Sequence, residues 1–214
     1  MKKYKLGMIC GRFSHIHNGH RILIENGLEL CDQLLILVGS AQEKYTLRNP
    51  FPIEYRIKLI KKVYNNDNLI IERLDDMTNE YDISYDWGEY VINHTKKYAG
   101  GVADLIITGN DDLRKGWFSK EQLTNTEELV IDRKLLDISA TKLRGYIIIN
   151  DKENWKKYVP KQIYNDFDEI REKMLKTEEY KKILNEMKEN LTISNYRKIY
   201  AKYEERDKIK KMNK

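Results

Sequence analysis

Two histidines three residues apart, His17 and His20, follow an apolar run and an arginine, Arg12, in the stretch MICGRFSHIHNGH of residues 8–20. Residues 5–10 are short and apolar enough for an inner parallel strand, Gly11 permits a tight turn, and Asn18 can cap a helix running towards Leu30. A helix start offers free N–H groups and the positive end of the helix dipole, and Arg12, His17 and His20 add donors with full or partial positive charge. The guest this chemistry suits is an anion, polyphosphate above all. A second such place is DISATKLR at residues 137–144. Ser139 is suited to cap a helix, and Arg144 lies three residues beyond Thr141 on the same helical face, so hydroxyls, amides and a guanidinium converge on one anion. Taken singly, His-x-x-His near a helix start also fits a metal site or a hydrogen-bonded structural pair, and capping alone accounts for Ser139 and Thr141. Two anion-binding helix starts on one chain are harder to explain that way.

The elements that must position these groups alternate between strand and helix. Residues 33–39 (QLLILVG) form a second continuous apolar run of the type covered on both faces. A loop at 39–52 leads to a helix over 53–64, with Pro52 at its first turn. Residues 68–74 are a third strand, 75–86 an acidic polar connection, and a helix runs over 87–98. Gly100 and Gly101 turn the chain into a fourth strand at 103–108, which ends in Thr108-Gly109-Asn110, and 128–131 is one more short strand. This order predicts an α/β fold, a Rossmann-like doubly wound parallel sheet, whose loops after the strands face the ligand crevice.

From residue 161 the alternation stops and the chain becomes dense in Lys and Glu. Tyr180, Ile183, Leu184, Met187 and Leu191 recur at helical spacing, a break at 190–195 follows, and a last helix carries Tyr196, Ile199, Tyr200 and Tyr203 before a basic end at 208–214. The expected division is therefore a domain at 1–160 and a C-terminal amphipathic helical extension at 161–214 that is separable from the chemistry. Its apolar stripe needs cover, either on the first domain or on a second copy of the chain, so a homo-oligomer is possible.

Composition sets the outer limits. The chain has 214 residues, enough for one well-cored domain with an appendage, and 34% of them are charged. No apolar run approaches the ~20 residues needed to cross a bilayer, so no membrane partner is expected. The start MKKYK imitates a secretion signal, but the apolar stretch behind it is too short and runs into the histidine turn, so a cytoplasmic protein is expected. Two cysteines, Cys10 and Cys31, suit reduced buried thiols better than a disulfide or a metal cluster. A net charge of +5 is mild for this length and favours an acidic small molecule over nucleic acid.

GRFSHIHNGH resembles the GRFxPxHxGH turn of the HIGH-motif nucleotidyltransferase superfamily, with His15 where that family usually carries proline, so a less rigid turn is expected. ISATKLR resembles the superfamily's second fingerprint, ISxTxxR. The resemblance implies ATP binding by Gly11, Arg12, Phe13, His17 and His20 in the first motif and by Ile138, Ser139, Thr141 and Arg144 in the second. His17, His20, Arg12 and Arg144 would be the catalytic groups, stabilising charge and not acting as nucleophiles. The loop GSAQ…TLRNPF, followed by Glu54 and Arg56, is similar to that of archaeal-type nicotinamide mononucleotide (NMN) adenylyltransferases, which implies that Ser40, Gln42, Arg48 and Asn49 line the acceptor pocket. YDISYDWGEYV resembles that family's acidic aromatic loop, which implies that Trp87, near Tyr81, Asp82, Tyr85 and Asp86, stacks on the pyridinium ring, a cation–π contact of roughly 0.5 to 2 kcal/mol. Gly109 and Asn110 would then pack beside adenosine and phosphates. Read from the residues alone, the 39–52 stretch is an ordinary polar loop and a tryptophan at a helix start is more often core.

The implied reaction is adenylyl transfer from ATP to NMN, with Mg2+ carried in by ATP and no protein-held metal. Two alternatives stay open on sequence: another phosphorylated acceptor such as nicotinate mononucleotide or pantetheine phosphate, and a non-catalytic nucleotide sensor. The tail resembles the connector that in some bacterial relatives leads into a Nudix hydrolase domain. No GxxxxxExxREUxEE pattern occurs in these residues, so that second activity is not expected of them.

Overall fold

A computed structural model describes residues 1–78, 84–109, 116–132 and 138–212. Five strands, β1 (Tyr4–Gly11), β2 (Cys31–Val38), β3 (Leu69–Arg73), β4 (Leu105–Gly109) and β5 (Glu127–Ile131), form one sheet in the order β3-β2-β1-β4-β5. Every pairing is parallel, with Gly7 opposite Leu34 on one side and Leu105 on the other. β1 and β2 are the apolar runs the sequence marks, and a central parallel strand covered on both faces has no polar side to show. The expected doubly wound sheet is thus present.

By its contacts the chain falls into two compact units. The first, Met1–Phe13, Gly19–Gln42 and Tyr64–Asp137, holds the whole sheet. On one face Leu6, Met8, Leu35, Leu37 and Ile106 pack with Val91 of α3 (Tyr85–Ala99). On the other face α1 (Asn18–Leu30) comes close through Gly27, where a Cβ would lie 2.7 Å from Leu34 Cδ1, so only glycine lets this helix seat. Parallel order reverses direction between β1 and β4, and the carboxyl ends of those strands, Gly11 and Gly109, mark the place where a doubly wound sheet takes its ligand.

The second unit, Ser14–Asn18, Glu43–Val63 and Ile138–Lys214, is helical. It contains α2 (Ile53–Val63), α4 (Ala140–Ile148), α5 (Lys152–Lys156), a 3-10 segment (Lys161–Asp166), α6 (Phe167–Met174), α7 (Glu178–Met187) and α8 (Ile193–Met212). Trp155, Phe167, Ile163, Tyr180 and Tyr196 are among its fully buried large side chains, and Lys62 of α2 is held to Asp166 at 2.7 Å. The tail's apolar stripe is covered here, with one correction. Ile183, Met187 and Ile199 are buried, whereas Leu191, in the break between α7 and α8, stays exposed, and Tyr196 and Tyr200 fill the inner face that Tyr203 was expected to share.

Candidate active site

In the first unit, β1 ends at Gly11, whose carbonyl accepts from Gly39 N–H at 2.8 Å, and the chain then passes through Arg12 to Phe13. Phe13 has a φ of 45°, a left-handed conformation unfavourable for a side chain of that size. It is held there by burial and by stacking on His20 in the first turn of α1, with ring centroids 4.3 Å apart. Ser40, directly after β2, is left-handed as well, with φ 49°. Its backbone N–H and its hydroxyl both donate to Asp76 Oδ1 at 3.2 Å. Gln42 exchanges two bonds with the backbone of the same aspartate. Asp76 therefore fixes both Ser40 and Gln42, and the sequence reading missed it, because nothing local links positions 36 residues apart.

Trp87 is buried, 3% exposed. Its indole N–H donates to Thr78 Oγ1 at 3.0 Å, Tyr90 meets it edge-on, and Trp117 stacks on it at 5.0 Å with planes 17° apart. One face of the indole is thus already covered, and a pyridinium must take the other face or displace Trp117. Beside Trp117, an apolar cleft runs along Met8, Cys10, Ile106 and Thr108, at the carboxyl halves of β1 and β4. Thr108 Oγ1 is buried there without a hydrogen-bond partner among the described residues, and Gly109 ends the strand behind it. Asn110, Tyr81 and Asp82 lie outside the described residues.

In the second unit, the turn from Ser14 to Asn18 carries His17, 5% exposed. Asn18 does not cap α1 as expected. It is the first helical residue, its backbone N–H donates to Tyr158 O at 2.8 Å, its side-chain N–H to Lys157 O, and its Oδ1 is buried without a partner among the described residues. These bonds tie Asn18 to the segment after α5. His15, in the place of the family proline, is buried against Phe51 and Trp155, with its ring edge towards His17. The Ser14 hydroxyl donates to Arg48 O at 3.3 Å, so the turn holds the loop that carries Arg48 and Asn49. Asn49 is turned into that loop: its side-chain N–H donates to Glu43 Oε2 at 2.6 Å and its backbone N–H to Thr46 Oγ1.

The second fingerprint follows its expected local geometry. Ser139 caps α4 by accepting from Lys142 N–H at 3.1 Å, with Ile138 before it in irregular chain, and Arg144 Nη2 donates to Thr141 Oγ1 at 3.1 Å. Arg144 is not open to solvent. It is 5% exposed, lies among Tyr180, Tyr196 and Tyr200, and makes a second Nη2 bond, 2.9 Å long, to the Tyr200 hydroxyl. Burial opposes its charge, but the neighbouring Tyr180, Tyr200 and Tyr196 and the Tyr200 hydrogen bond raise its pKa further, so it stays protonated, and among the described residues its Nε has no acceptor. No carboxylate among the described residues lies against this buried cation, an arrangement that an anion could complete. Among the described residues no three His, Cys, Asp or Glu side chains gather in a metal-holding group.

The family model described as cytidylyltransferase-like matches residues 8–183. A nicotinamide-nucleotide adenylyltransferase of Methanococcus aeolicus is 31% identical over 76% of this chain and 88% of its own length. One of Saccharolobus solfataricus is 29% identical over 77% of this chain and 91% of its own length. Among solved structures, a bifunctional NMN adenylyltransferase/ADP ribose pyrophosphatase of Francisella tularensis, complexed with AMP and a manganese ion, superposes with a TM-score of 0.62 at 19% identity. That match covers 85% of this chain and 54% of the other, so the chain spans about half of that bifunctional protein.

Proposed function

Because the chain belongs to the cytidylyltransferase-like family, we propose that it transfers AMP from ATP to nicotinamide mononucleotide, giving NAD and pyrophosphate. The observation that carries this reading is Arg144, a guanidinium buried among phenols in a Ser139-capped helix with no carboxylate against it among the described residues. A polyphosphate supplies that missing charge.

The chemistry brings two anions together. An oxygen of the NMN phosphate attacks the α-phosphorus of ATP in line, the bond from that phosphorus to the bridging oxygen breaks, and pyrophosphate leaves with the electron pair. Such a transfer needs positioning and charge neutralisation more than covalent help. Arg144 and the amides after Ser139 take triphosphate oxygens, and Arg12, His17 and His20 stabilise charge at the first fingerprint. Gly109 permits close backbone approach beside the adenosine, while Ser40, Gln42, Arg48, Asn49 and Trp87 serve the acceptor. Mg2+ enters with ATP as its chelate. A cytoplasmic setting suits this reading.

The test is direct. The protein is incubated with ATP, Mg2+ and, in turn, NMN, nicotinate mononucleotide and pantetheine phosphate, and pyrophosphate and the coupled product are measured. NMN should give NAD fastest. Pyrophosphate release with another acceptor only would move the reading to that acceptor, and none with any of the three would end it.

A further inference from the structure

Arg144 and the Leu47 carbonyl, two points on candidate substrate-binding elements, are both held by tyrosines of the C-terminal helices. Nη2 of Arg144 has two hydrogens, and both are engaged, one by Thr141 Oγ1 at 3.1 Å and one by Tyr200 Oη at 2.9 Å. The first bond is internal to α4. The second comes from α8, 56 residues away, and with the Tyr200 ring 5.3 Å from Arg144 Cζ it fixes the plane of the guanidinium. The seat of α8 is set one residue further along α4: a Cβ at Gly145 would lie 2.7 Å from Tyr196 Cδ1, so the helices touch at that glycine. Tyr200 follows Tyr196 by one helical turn and therefore falls beside Arg144.

The other contact comes from α7. Tyr180 is fully buried and its hydroxyl donates to Leu47 O at 2.6 Å. Burial raises its pKa well above the ordinary range, so the phenol keeps the proton it donates. The loop it grips turns on itself through Thr46 and Asn49 and is tied on its other side by Ser14 to Arg48 O. The residue that α7 holds thus sits between Thr46 and Arg48, with no helix or strand of its own to keep it in place.

We propose that Tyr200 and Tyr180 are positioning residues for the transfer, Tyr200 aiming Arg144 at the triphosphate and Tyr180 anchoring the loop that presents Arg48 and Asn49 to the acceptor. This rests on the roles given to those three residues above. The C-terminal helices are then a working part of the site and not a separable appendage.

The experiment uses the full-length chain and steady-state kinetics with ATP and NMN varied separately. Tyr200→Phe and Tyr180→Phe each delete one oxygen and keep the ring. Tyr200→Phe should raise the KM for ATP about tenfold, on the scale of one lost hydrogen bond to a charged group, and leave the KM for NMN within about twofold. Tyr180→Phe should do the reverse. A purely structural role would lower thermal stability and the amount of active protein while leaving both KM values unchanged, and that result overturns the proposal. Arg144→Gln separates the two levels of the argument. If it raises the KM for ATP while Tyr200→Phe does not, the positioning role fails and the function stands. If Arg144→Gln itself leaves the KM for ATP unchanged, Arg144 is no triphosphate ligand and the proposal falls with it.

Discussion

Trp155 donates its indole N–H to Nε2 of His15 at 3.3 Å, and the two rings lie nearly parallel. An acceptor Nε2 requires the neutral tautomer with its proton on Nδ1, and burial, helped by the nearby Arg144 charge, lowers the pKa of His15 from 6.5 to about 3. The family's proline stiffens the turn through its ring. Here a buried histidine latched to a tryptophan does so instead, and the less rigid turn expected from the sequence is braced by packing.

The latch has a pH signature. The unfolded chain protonates His15 near 6.5 and the folded chain near 3, so between those values the unfolded state binds more protons and stability falls as pH falls. The contribution is whole above about pH 6.5 and declines towards pH 3, with a slope of at most about 1.4 kcal/mol per pH unit from this group. Urea melts at pH 5 and pH 7 should show wild type losing more stability on acidification than His15→Gln, which has nothing to titrate at this position. Equal losses in the two proteins would show that His15 is solvated.

The histidines of the first fingerprint can be tested apart from the fold. His20→Ala should lower kcat/KM by about 10^2-fold or more, the scale of one lost electrostatic donor, and His17→Ala similarly. His20 also stacks on Phe13, so His20→Phe, which keeps a ring against Phe13, should fold as wild type and still turn over slowly. Normal turnover of ATP and NMN by His20→Ala would remove this turn from the catalytic centre.

The strands were readable because a parallel strand buried on both faces is an unbroken apolar run, as in β1 and β2. β4 and α3 began within two residues of their expected starts. The Ser139 cap and the Thr141–Arg144 pair were readable because helical spacing alone brings residues three apart together. The groups that finish these places were not readable: Trp155 is 140 residues from His15, Tyr180 is 133 from Leu47, and Trp117 comes to Trp87 from a different connection. Contacts between distant elements leave no period in the sequence. The same cause hid the seat of the tail, since the spacing of its apolar residues says that a face is buried but not what it is buried against.

Trp87 sits where a pocket reading and a core reading overlap, and one substitution weighs both. Trp87→Ala removes a buried side chain that stacks on Trp117 and bonds Thr78, so a stability loss of about 3 to 5 kcal/mol is expected in chemical denaturation. If the indole also receives the pyridinium, calorimetry should find NMN binding weakened by about 0.5 to 2 kcal/mol with ATP binding nearly unchanged. Equal loss for both ligands would leave Trp87 as core only.

Gly145 offers the most economical lever on the tail, because it is where α8 rests on α4. A methyl group there would approach Tyr196 Cδ1, an atom of a rigid ring, to 2.7 Å, closer than carbon atoms tolerate, and the terminal Ile193 Cδ1 to 3.0 Å, a tight contact. Gly145→Ala must therefore push α8 outward or twist the Tyr196 ring, at an overpacking cost of about 1 to 3 kcal/mol that outweighs alanine's better helix propensity. Thermal melting should show the loss. Because Tyr200 is carried on the displaced helix, its bond to Arg144 should lengthen, and the KM for ATP should rise in the same direction as in Tyr200→Phe. Gly145→Ala combined with Tyr200→Phe then becomes the decisive measurement: if both act through the Arg144 bond, the double variant is no worse in the KM for ATP than the worse single one. Fully additive effects would mean that the glycine contact and the tyrosine hydroxyl act on different parts of the protein.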